Sequence, residues 1–442
     1  MMAITVIISL LISIMVSTIS LAEVVECRLA RGKSAHKVLT FNSLWRLPLG
    51  KNPRKIRLKD EKKTGDSHEN PHPDDANTFV RAASGVSFQG GKGSDPVSLL
   101  LAQDSRRFLG VSDFTVSYSK VASNLRTKSW GAPTVSMIPL ATDADIKSLE
   151  NDGRDYTSFR KRYKEDYEAM TTLPSGEILI VSSGSDSRKF PKKKSYRSVM
   201  IIFEPGSKKV TRFEVPEFYS RLNRDTRIVG NGRGAGINIE GVAIKPGPMQ
   251  DHKISFFHRG NYGESGEDAV VEFSLKEWLL ALKSGIHEKL AAVPIIRVVK
   301  FKMPQIKVEE ANGKMRIFRA NLGDALFGYL KGRSTFLMPV GVEADYIDKN
   351  RIHHDGDVVF VGLAVWQVAT TGKPASCKVF QAPGDPLPGQ LSRFGKLEGL
   401  AAYSLTGKNA FEKSWYSDTA LLVGVTDVDS EIQPSMLTAL SF

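Results

Sequence analysis

Acidic residues recur at one position of a motif that the chain repeats. In each copy a small or acidic residue is followed by Gly or Ala and then by an apolar residue. The five copies begin at Ser84, Glu168, Glu240, Asp324 and Glu398, with spacings of 84, 72, 84 and 74 residues. Four carboxylates brought together repel one another unless a cation lies between them, and Ca²⁺ accepts six to eight such oxygens. The alternative is a structural role, in which each acid accepts hydrogen bonds from backbone N–H groups of the neighbouring repeat.

The elements around each motif are short β-strands. The second repeat contains four strand-like runs joined by short turns, at 168–173, 177–183, 198–204 and 209–215. Four antiparallel strands per repeat are typical of a propeller blade, whose first strand lines the central channel. The sequence therefore predicts an all-β propeller with five blades, six being left open, in which the four acids converge on the axis. A β-sandwich is the rival fold, but it does not explain the repeat.

The last repeat has only three strand-like runs, at 398–404, 421–427 and 436–442. An amino-terminal strand near His36–Phe41 is expected to supply the fourth and to close the ring. This gives three segments: a signal peptide (1–22), a closing strand with a polar loop or insertion (23–80) and the propeller (81–442). One helix, Leu275–Lys283, is predicted from its amphipathic pattern.

The ends of the second strands supply a second set of polar residues. They are Asp104, Ser183, Arg259, Glu343 and Asp427. Arg259 and Asp427 are the candidate catalytic residues, because a guanidinium binds phosphate or carboxylate through two donors at once. A structural salt bridge from Arg259 to one of the glutamates is the alternative.

The first 22 residues indicate export. Met1–Ala22 has no charged side chain, is largely apolar, and ends in Ser20-Leu21-Ala22, which fits a signal-peptidase site. A periplasmic or extracellular location is predicted, with no membrane span after removal of the leader and a monomeric state. The two cysteines, Cys27 and Cys377, either pair across the chain or are two separate buried thiols.

The chain carries a formal net charge of +13, and 41% of its residues are hydrophobic and 25% charged. This composition is that of a folded globular protein. The positive charge favours an anionic small molecule or polymer as ligand. Nucleic acid is not expected, because no zinc-finger spacing and no aromatic–basic motif is present.

Several short motifs resemble a family of uncharacterised bacterial propellers similar to the esterase-like phytases. They include Glu165–Met170 followed by Ser182–Ser185, Asn238–Gly241 with Arg259-Gly260-Asn261, and Lys396–Leu400. The ending Val425–Asp429 matches as well, so the resemblance covers roughly residues 81 to 442. It implies calcium in or near the channel and phosphoesterase activity. The chain differs from that family in having Ser84 where the first copy would carry an acid, and in lacking dense acidic clusters.

Two functions follow as hypotheses. The first is a calcium-dependent hydrolase of anionic esters, in which Glu168, Glu240, Asp324 and Glu398 hold the ion and Arg259 binds the substrate's negative charge. The second is a non-catalytic envelope protein that uses the propeller to bind a ligand or a protein.

Overall fold

The protein is described by a computed structural model over residues 22–30, 40–46, 83–89, 97–103, 108–114, 134–140, 144, 147–148, 151, 165–185, 197–230, 236–247, 251–260, 267–309, 315–330, 332–343, 346–347, 353–354, 358–381, 396–404, 420–427 and 436–441. Strands dominate these residues, as expected for an all-β protein. The predicted signal peptide lies outside them except for Ala22, and so does the polar stretch 47–82.

Most of the strands within the described residues group into five four-stranded antiparallel units, numbered here in chain order. Unit one contains β3 (Ala83–Gln89), β4 (Val97–Gln103), β5 (Phe108–Phe114) and β6 (Thr134–Pro139). Unit two contains β7 (Tyr167–Thr172), β8 (Ile178–Ser182), β9 (Val199–Glu204) and β10 (Lys209–Glu214). The four strands of unit two agree with the sequence prediction to within one residue at each end.

Units three and four belong to one larger sheet. Unit three contains β11 (Ile239–Lys245), β12 (Lys253–His258), β13 (Asp268–Ser274) and β14 (Arg297–Lys302). Unit four contains β17 (Asn321–Leu322) and β18 (Leu326–Leu330) as its interrupted first strand, then β19 (Arg333–Glu343), β22 (Val358–Gln367) and β23 (Ser376–Gln381). Two short hairpins are β15 (Gln305–Glu309) with β16 (Met315–Arg319), and β20 (Tyr346–Ile347) with β21 (His353–His354).

The amino-terminal strand β1 (Glu23–Leu29) joins units three and four. Its first half pairs in parallel with β14 and its second half with β23, so the sheet is continuous across ten strands. Cys27 and Cys377 lie opposite each other in this pairing and form a disulfide across 350 residues of sequence. The pairing of the two cysteines is thereby decided. In the chain-entropy model a loop this long adds roughly 6 kcal/mol to the stability of the fold.

Unit five is completed from the other end of the chain. Its own strands are β24 (Lys396–Ser404), β25 (Ala420–Asp427) and β26 (Met436–Ser441), and β2 (Thr40–Arg46) pairs antiparallel with β26 as the fourth. The predicted closing strand is confirmed, although it begins four residues later than expected and continues to Arg46.

The repeated motif lies at a β-bulge in the first strand of every unit. In β11, Ile239 pairs with His258 and Gly241 with Phe257, so Glu240 is the extra residue. The same register shift occurs in the first strands of units one, two and five. In unit four, Leu322 pairs with Val340 and Leu326 with Leu337, so that three residues oppose two around Asp324. A bulge turns the side chain of the extra residue out of the regular alternation, which explains why this position repeats.

The small second residue of the motif permits close packing between neighbouring first strands. A β-carbon on Gly241 would lie 2.9 Å from the backbone of Asp324 and Ala325, and one on Gly399 would lie 3.1 Å from the backbone nitrogen of Val86. The first strands contact one another in the order β3, β7, β11, β18, β24, and β24 contacts β3 again. This closed order of contacts is propeller-like.

The hydrophobic core lies between neighbouring units, and helices cover part of it. Four helices are described over their full length: α1 (Pro216–Arg224), α2 (Thr226–Val229), α3 (Leu275–Lys283) and α4 (His287–Ala292). Phe218 and Trp278, from α1 and α3, are fully buried in the core shared by units two and three. The predicted helix is confirmed at both ends: the Ser274 side chain accepts a hydrogen bond from the Glu277 backbone, and Gly285 follows with a φ of 68°.

Candidate functional site

The bulge of unit three places Glu240 beside Arg259. Arg259 directly follows β12, and its Nη1 lies 3.6 Å from Oε1 of Glu240. Both residues are buried, with 8% and 5% of their surfaces exposed. The Asn238 side chain also donates a hydrogen bond to Oε1 of Glu240. Glu240 is therefore held by an amide and a guanidinium in a site largely closed to water.

Backbone contacts fix the orientation of these side chains. The Arg259 backbone N–H donates to the Asn238 carbonyl at 2.8 Å. Nδ1 of the buried His258 accepts a hydrogen bond from the Asn238 backbone N–H at 3.1 Å. Burial lowers the pKa of His258 to about 4, so its ring is neutral at physiological pH and can act as this acceptor. His258 thus positions Asn238, and Asn238 positions Glu240.

The bulge of unit five contributes a second glutamate to the same place. Glu398 has 6% of its surface exposed, and its Oε1 accepts a hydrogen bond from Nζ of Lys396. The pKa of Glu398 is raised to about 8, first by burial and also by the charge of Glu240, while Lys396 and Arg259 oppose the shift. Glu398 therefore keeps its proton at neutral pH more readily than an ordinary glutamic acid. Asn238, Glu240, Arg259, Lys396 and Glu398 are called the central cluster below.

Asp324 lies next to the central cluster but uses its carboxylate differently. It is fully buried, and its Oδ2 accepts a hydrogen bond from the Leu400 backbone N–H at 3.2 Å. Burial raises its pKa well above the ordinary value, backbone hydrogen bonds from Ala325, Leu400 and Val242 oppose that shift, and the charge of Glu398 adds to it. Oδ1 has no hydrogen-bond partner among the described residues. For this acid, the structural role that the sequence left open is the one observed.

Of the remaining predicted site residues, the structure describes the side chains of some and leaves others outside the described part. Glu168 occupies the bulge of β7 and is only half-buried. Ser84, at the first copy, donates a hydrogen bond to the Tyr167 carbonyl of unit two. Asp427 ends β25 opposite Lys396, and its side chain lies outside the described part of the structure. Asp104 and the side chain of Glu343 also lie outside it.

Ser183 belongs to a separate polar network in unit two. Its hydroxyl donates to Oδ2 of Asp166, and its oxygen lies 2.9 Å from that of Ser185. Arg197 donates to Ser185 at 2.7 Å and lies 3.1 Å from Asp166. Asp166 has a positive φ of 59°, an uncommon conformation for a non-glycine residue, which this network stabilises. These side chains satisfy one another.

Lys396 and Asn238 are the cluster residues that sequence reasoning missed. Each stands two residues before a motif glutamate, in Lys396-Leu397-Glu398 and Asn238-Ile239-Glu240. The same spacing in two repeats was therefore a signal in the sequence that the residue two before the glutamate belongs to the site.

The carboxylates fit a shared cation only in part. Within the residues that the structure describes, no group of three or more His, Cys, Asp or Glu side chains has the spacing to hold a metal ion. One buried oxygen of Asp324 has no hydrogen-bond partner among the described residues. In the same part of the chain, no helix has the length and apolar character needed to cross a membrane.

Comparisons with known proteins give a family and distant structural likenesses. A family described as a family of unknown function (DUF6929) matches residues 80–313, which is more than half of the chain. No curated protein matches. Among solved structures, a mannose phosphorylase from Leishmania mexicana in complex with phosphate is 9% identical, with coverage of 82% of this chain and 89% of that one and a TM-score of 0.32.

Two further structures are similar at the same level. An α-L-arabinanase from Penicillium chrysogenum is 8% identical, covering 83% of this chain and 97% of the other with a TM-score of 0.30. The extracellular domains of Drosophila Semaphorin 1b are 8% identical, covering 83% and 87% with a TM-score of 0.29. At these scores none of the three likenesses carries a conclusion about function.

Proposed function

The chain belongs to this family of unknown function, and we propose that it is an exported five-bladed β-propeller that hydrolyses an anionic ester, most simply a phosphoester, at the central cluster. The observation that carries the proposal is the pair of buried glutamates with unlike partners, Glu240 beside Arg259 and Glu398 beside Lys396. A buried acid with a raised pKa, such as Glu398, next to a second carboxylate is a common arrangement for acid–base catalysis.

Five blades are supported by the five four-stranded units and by the contacts of their first strands. The added length of the third repeat contains α3, α4 and the β15–β16 hairpin, and these elements do not make a further four-stranded unit. In a propeller the blades surround a central channel, which the first strands line, so the bulges of these strands are proposed to face that channel.

The proposed chemistry assigns a role to each side chain. Arg259 and Lys396 bind the negative charge of the ester and stabilise the charge that develops during attack by water. Glu240 accepts the proton of the attacking water. Glu398, which holds a proton at neutral pH, donates it to the leaving oxygen. Asp427, at the end of β25 and opposite Lys396, is proposed to assist at the same end of the unit.

Calcium remains a proposal beside this scheme. Glu168, Glu240, Asp324 and Glu398 would hold it, and it would supply a Lewis acid for the ester oxygen. None of the roles given to the side chains above depends on the ion.

Export is supported by the disulfide between Cys27 and Cys377, since such bonds persist mainly in oxidising compartments. We expect the mature chain to begin near Glu23, the first residue of β1. Amino-terminal sequencing of the protein recovered from the periplasm or medium checks this expectation. Recovery of an intact Met1 terminus in the membrane fraction would show an uncleaved anchor instead.

Turnover of chromogenic phosphate and carboxyl esters, with and without a chelator, tests the hydrolase proposal. Glu398→Gln removes the proton donor and should lower kcat by about 10²-fold or more, with a smaller effect on KM. Glu177→Gln is the matched control, because Glu177 forms an exposed ion pair with Lys283 at 3.0 Å, far from the cluster in sequence and on the surface. An equal loss in both variants, or none in Glu398→Gln, would reject the assignment.

The alternative is a non-catalytic platform that binds an anionic ligand, and the role of Asp324 favours it. That carboxylate accepts backbone N–H groups from units three and five, as a purely structural acid would. Ligand binding at the central cluster without turnover of any ester would support this second function.

A further inference from the structure

The backbone on both sides of Arg259 is fixed by hydrogen bonds. Its own N–H donates to the Asn238 carbonyl at 2.8 Å, and the next N–H, that of Gly260, donates to Oδ1 of Asp268 at 2.7 Å. The Gly260 carbonyl accepts a hydrogen bond from Nη2 of Arg319 at 2.9 Å. Because the planar peptide groups before and after Arg259 are both held, the direction in which its side chain leaves the backbone is fixed as well.

The two side chains that hold Gly260 are themselves anchored. Asp268 is fully buried at the start of β13, and its second oxygen, Oδ2, accepts a hydrogen bond from the Leu322 N–H at 3.2 Å. Nη2 of Arg319 also donates to Oδ1 of Asn321 at 3.1 Å and lies 3.5 Å from Oδ1 of Asp268. Gly260, Asp268 and Arg319 thus form one hydrogen-bonded group, which is called the clamp below.

Arg319 reaches the clamp from the β15–β16 hairpin, of which it is the last residue. On one face of the hairpin Ile306 is buried, and its cross-strand neighbour Phe318 packs against the same core between units three and four. An isolated two-stranded hairpin is only marginally stable, so this packing is needed to keep Arg319 in place. The clamp therefore has a fixed base on the side of unit four.

The charge of Arg259 also acts on the clamp. Burial raises the pKa of Asp268 to about 6, while Arg319, backbone N–H groups and Arg259 oppose the shift. Arg259 therefore lies within electrostatic range of Asp268, as well as 3.6 Å from Glu240. Asp268 thus acts on this arginine twice, through the backbone that follows it and through the charge of its side chain.

We infer that Asp268 and Arg319 are positioning residues that orient Arg259 toward the negative charge of the ligand. The inference rests on the anion-binding role proposed for Arg259 and adds that this role is controlled from the boundary with unit four. A guanidinium binds a phosphoryl group through two donors in a fixed geometry, so a displacement of about 1 Å weakens that contact strongly. Neither positioning residue touches the ligand.

Equilibrium binding of inorganic phosphate to the full mature protein tests the inference. Arg319→Gln removes the charged donor to the Gly260 carbonyl and should weaken phosphate binding about tenfold or more. Arg319→Lys keeps a charged donor and should recover most of that loss. Arg316→Gln is the matched control, because it removes the same charge from the same strand, from a guanidinium that lies 4.8 Å from the centre of the Phe318 ring. Equal losses in Arg319→Gln and Arg316→Gln, or no loss in either, would contradict the inference.

A double variant separates positioning from a general loss of stability. If Arg319 acts through Arg259, adding Arg319→Gln to Arg259→Gln should leave the phosphate affinity nearly unchanged, whereas independent effects add. Additive losses would overturn the inference, and so would a wild-type protein that does not bind phosphate.

Asn321→Ala is the milder variant if Arg319→Gln does not fold. It removes one acceptor of the Arg319 guanidinium and leaves the charge in place, so it should weaken phosphate binding in the same direction by a smaller factor. An affinity unchanged from the wild type in Asn321→Ala would then count against positioning by Arg319.

The outcomes for positioning and for catalysis are distinct. Phosphate binding that depends on Arg319, without turnover of any ester, keeps the inference and rejects the hydrolase. Turnover of 4-nitrophenyl phosphate with an unchanged KM in Arg319→Gln keeps the hydrolase and rejects the inference.

Discussion

Two aspartates and two glutamates of this protein are buried near the first strands, yet they hold different partners. Asp268 and Asp324 each accept backbone N–H groups from two units: Asp268 from Gly260 at 2.7 Å and Leu322 at 3.2 Å, Asp324 from Leu400 at 3.2 Å and from Val242. Asp268 also lies 3.5 Å from Nη2 of Arg319, whereas Asp324 is held by backbone groups. Glu240 and Glu398 are held by side chains. The aspartates join neighbouring units, and the glutamates form the central cluster.

The aspartates and the glutamates hold different partners because their side chains differ in length and because they stand at different positions relative to the bulge. The short aspartate keeps its carboxylate at the level of the backbone, where unpaired N–H groups of the next unit are within reach. The extra methylene of Glu240 and Glu398 carries the carboxylate past the backbone to Arg259 and Lys396. Equivalent positions in a repeat therefore need not have equivalent functions, and an acid that binds only backbone is a poor candidate for chemistry.

The largest expected effect is that of Asp324→Ala. The change leaves the N–H groups of Leu400 and Val242 buried without an acceptor, and each such group costs roughly 1–3 kcal/mol. We expect a loss of about 2–6 kcal/mol in the free energy of unfolding, measured by denaturant titration. Asp324→Asn keeps one acceptor oxygen and no charge, so it should cost much less. Equal losses in the two variants would mean that the charge, and not the hydrogen bonds, matters.

Asp268→Asn is expected to act through pH. Burial raises the pKa of Asp268 from 3.8 to about 6, although Arg319 and Arg259 oppose the shift. Because the folded protein binds this proton more tightly than the unfolded chain, the stabilisation is complete below pH 4 and is lost as the pH rises to about 6.

The asparagine variant has no such proton. The stability of the wild type relative to Asp268→Asn should therefore fall by up to about 3 kcal/mol between pH 4 and pH 6 and stay constant above pH 7. Unfolding titrations at pH 4, 5, 6 and 7.5 give this difference. A difference that is flat across the range would show that Asp268 is ionised, and salt-bridged to Arg319, throughout.

Local patterns in the sequence predicted the elements whose partners are adjacent in the chain. Unit two and α3 agree with prediction almost residue by residue, because their strand alternation and helix caps are local. β1 was missed, although Val25 and Cys27 alternate with exposed neighbours, because it pairs with strands about 270 and 350 residues away. The acids were found as a set, but their division into two kinds depends on the neighbouring unit, which no local pattern describes.

The smallest expected change in stability, and the sharpest test of calcium, comes from Glu240→Gln. Without a cation the change should cost about 1 kcal/mol or less, because the amide can still accept from Asn238 and Glu398 then ionises more readily beside Arg259 and Lys396. If the glutamates share calcium, an ion at a hundredfold excess over its Kd stabilises the wild type by about 2.7 kcal/mol, and the variant loses most of that gain. Melting curves of both proteins in calcium and in chelator give the four values needed.

A wild-type melting temperature that is the same in both conditions rejects the calcium hypothesis and leaves the glutamates to act through their protons alone. A variant that loses several kcal/mol in chelator as well would place Glu240 with Asp268 and Asp324 as a structural acid, and the division between aspartates and glutamates would fail.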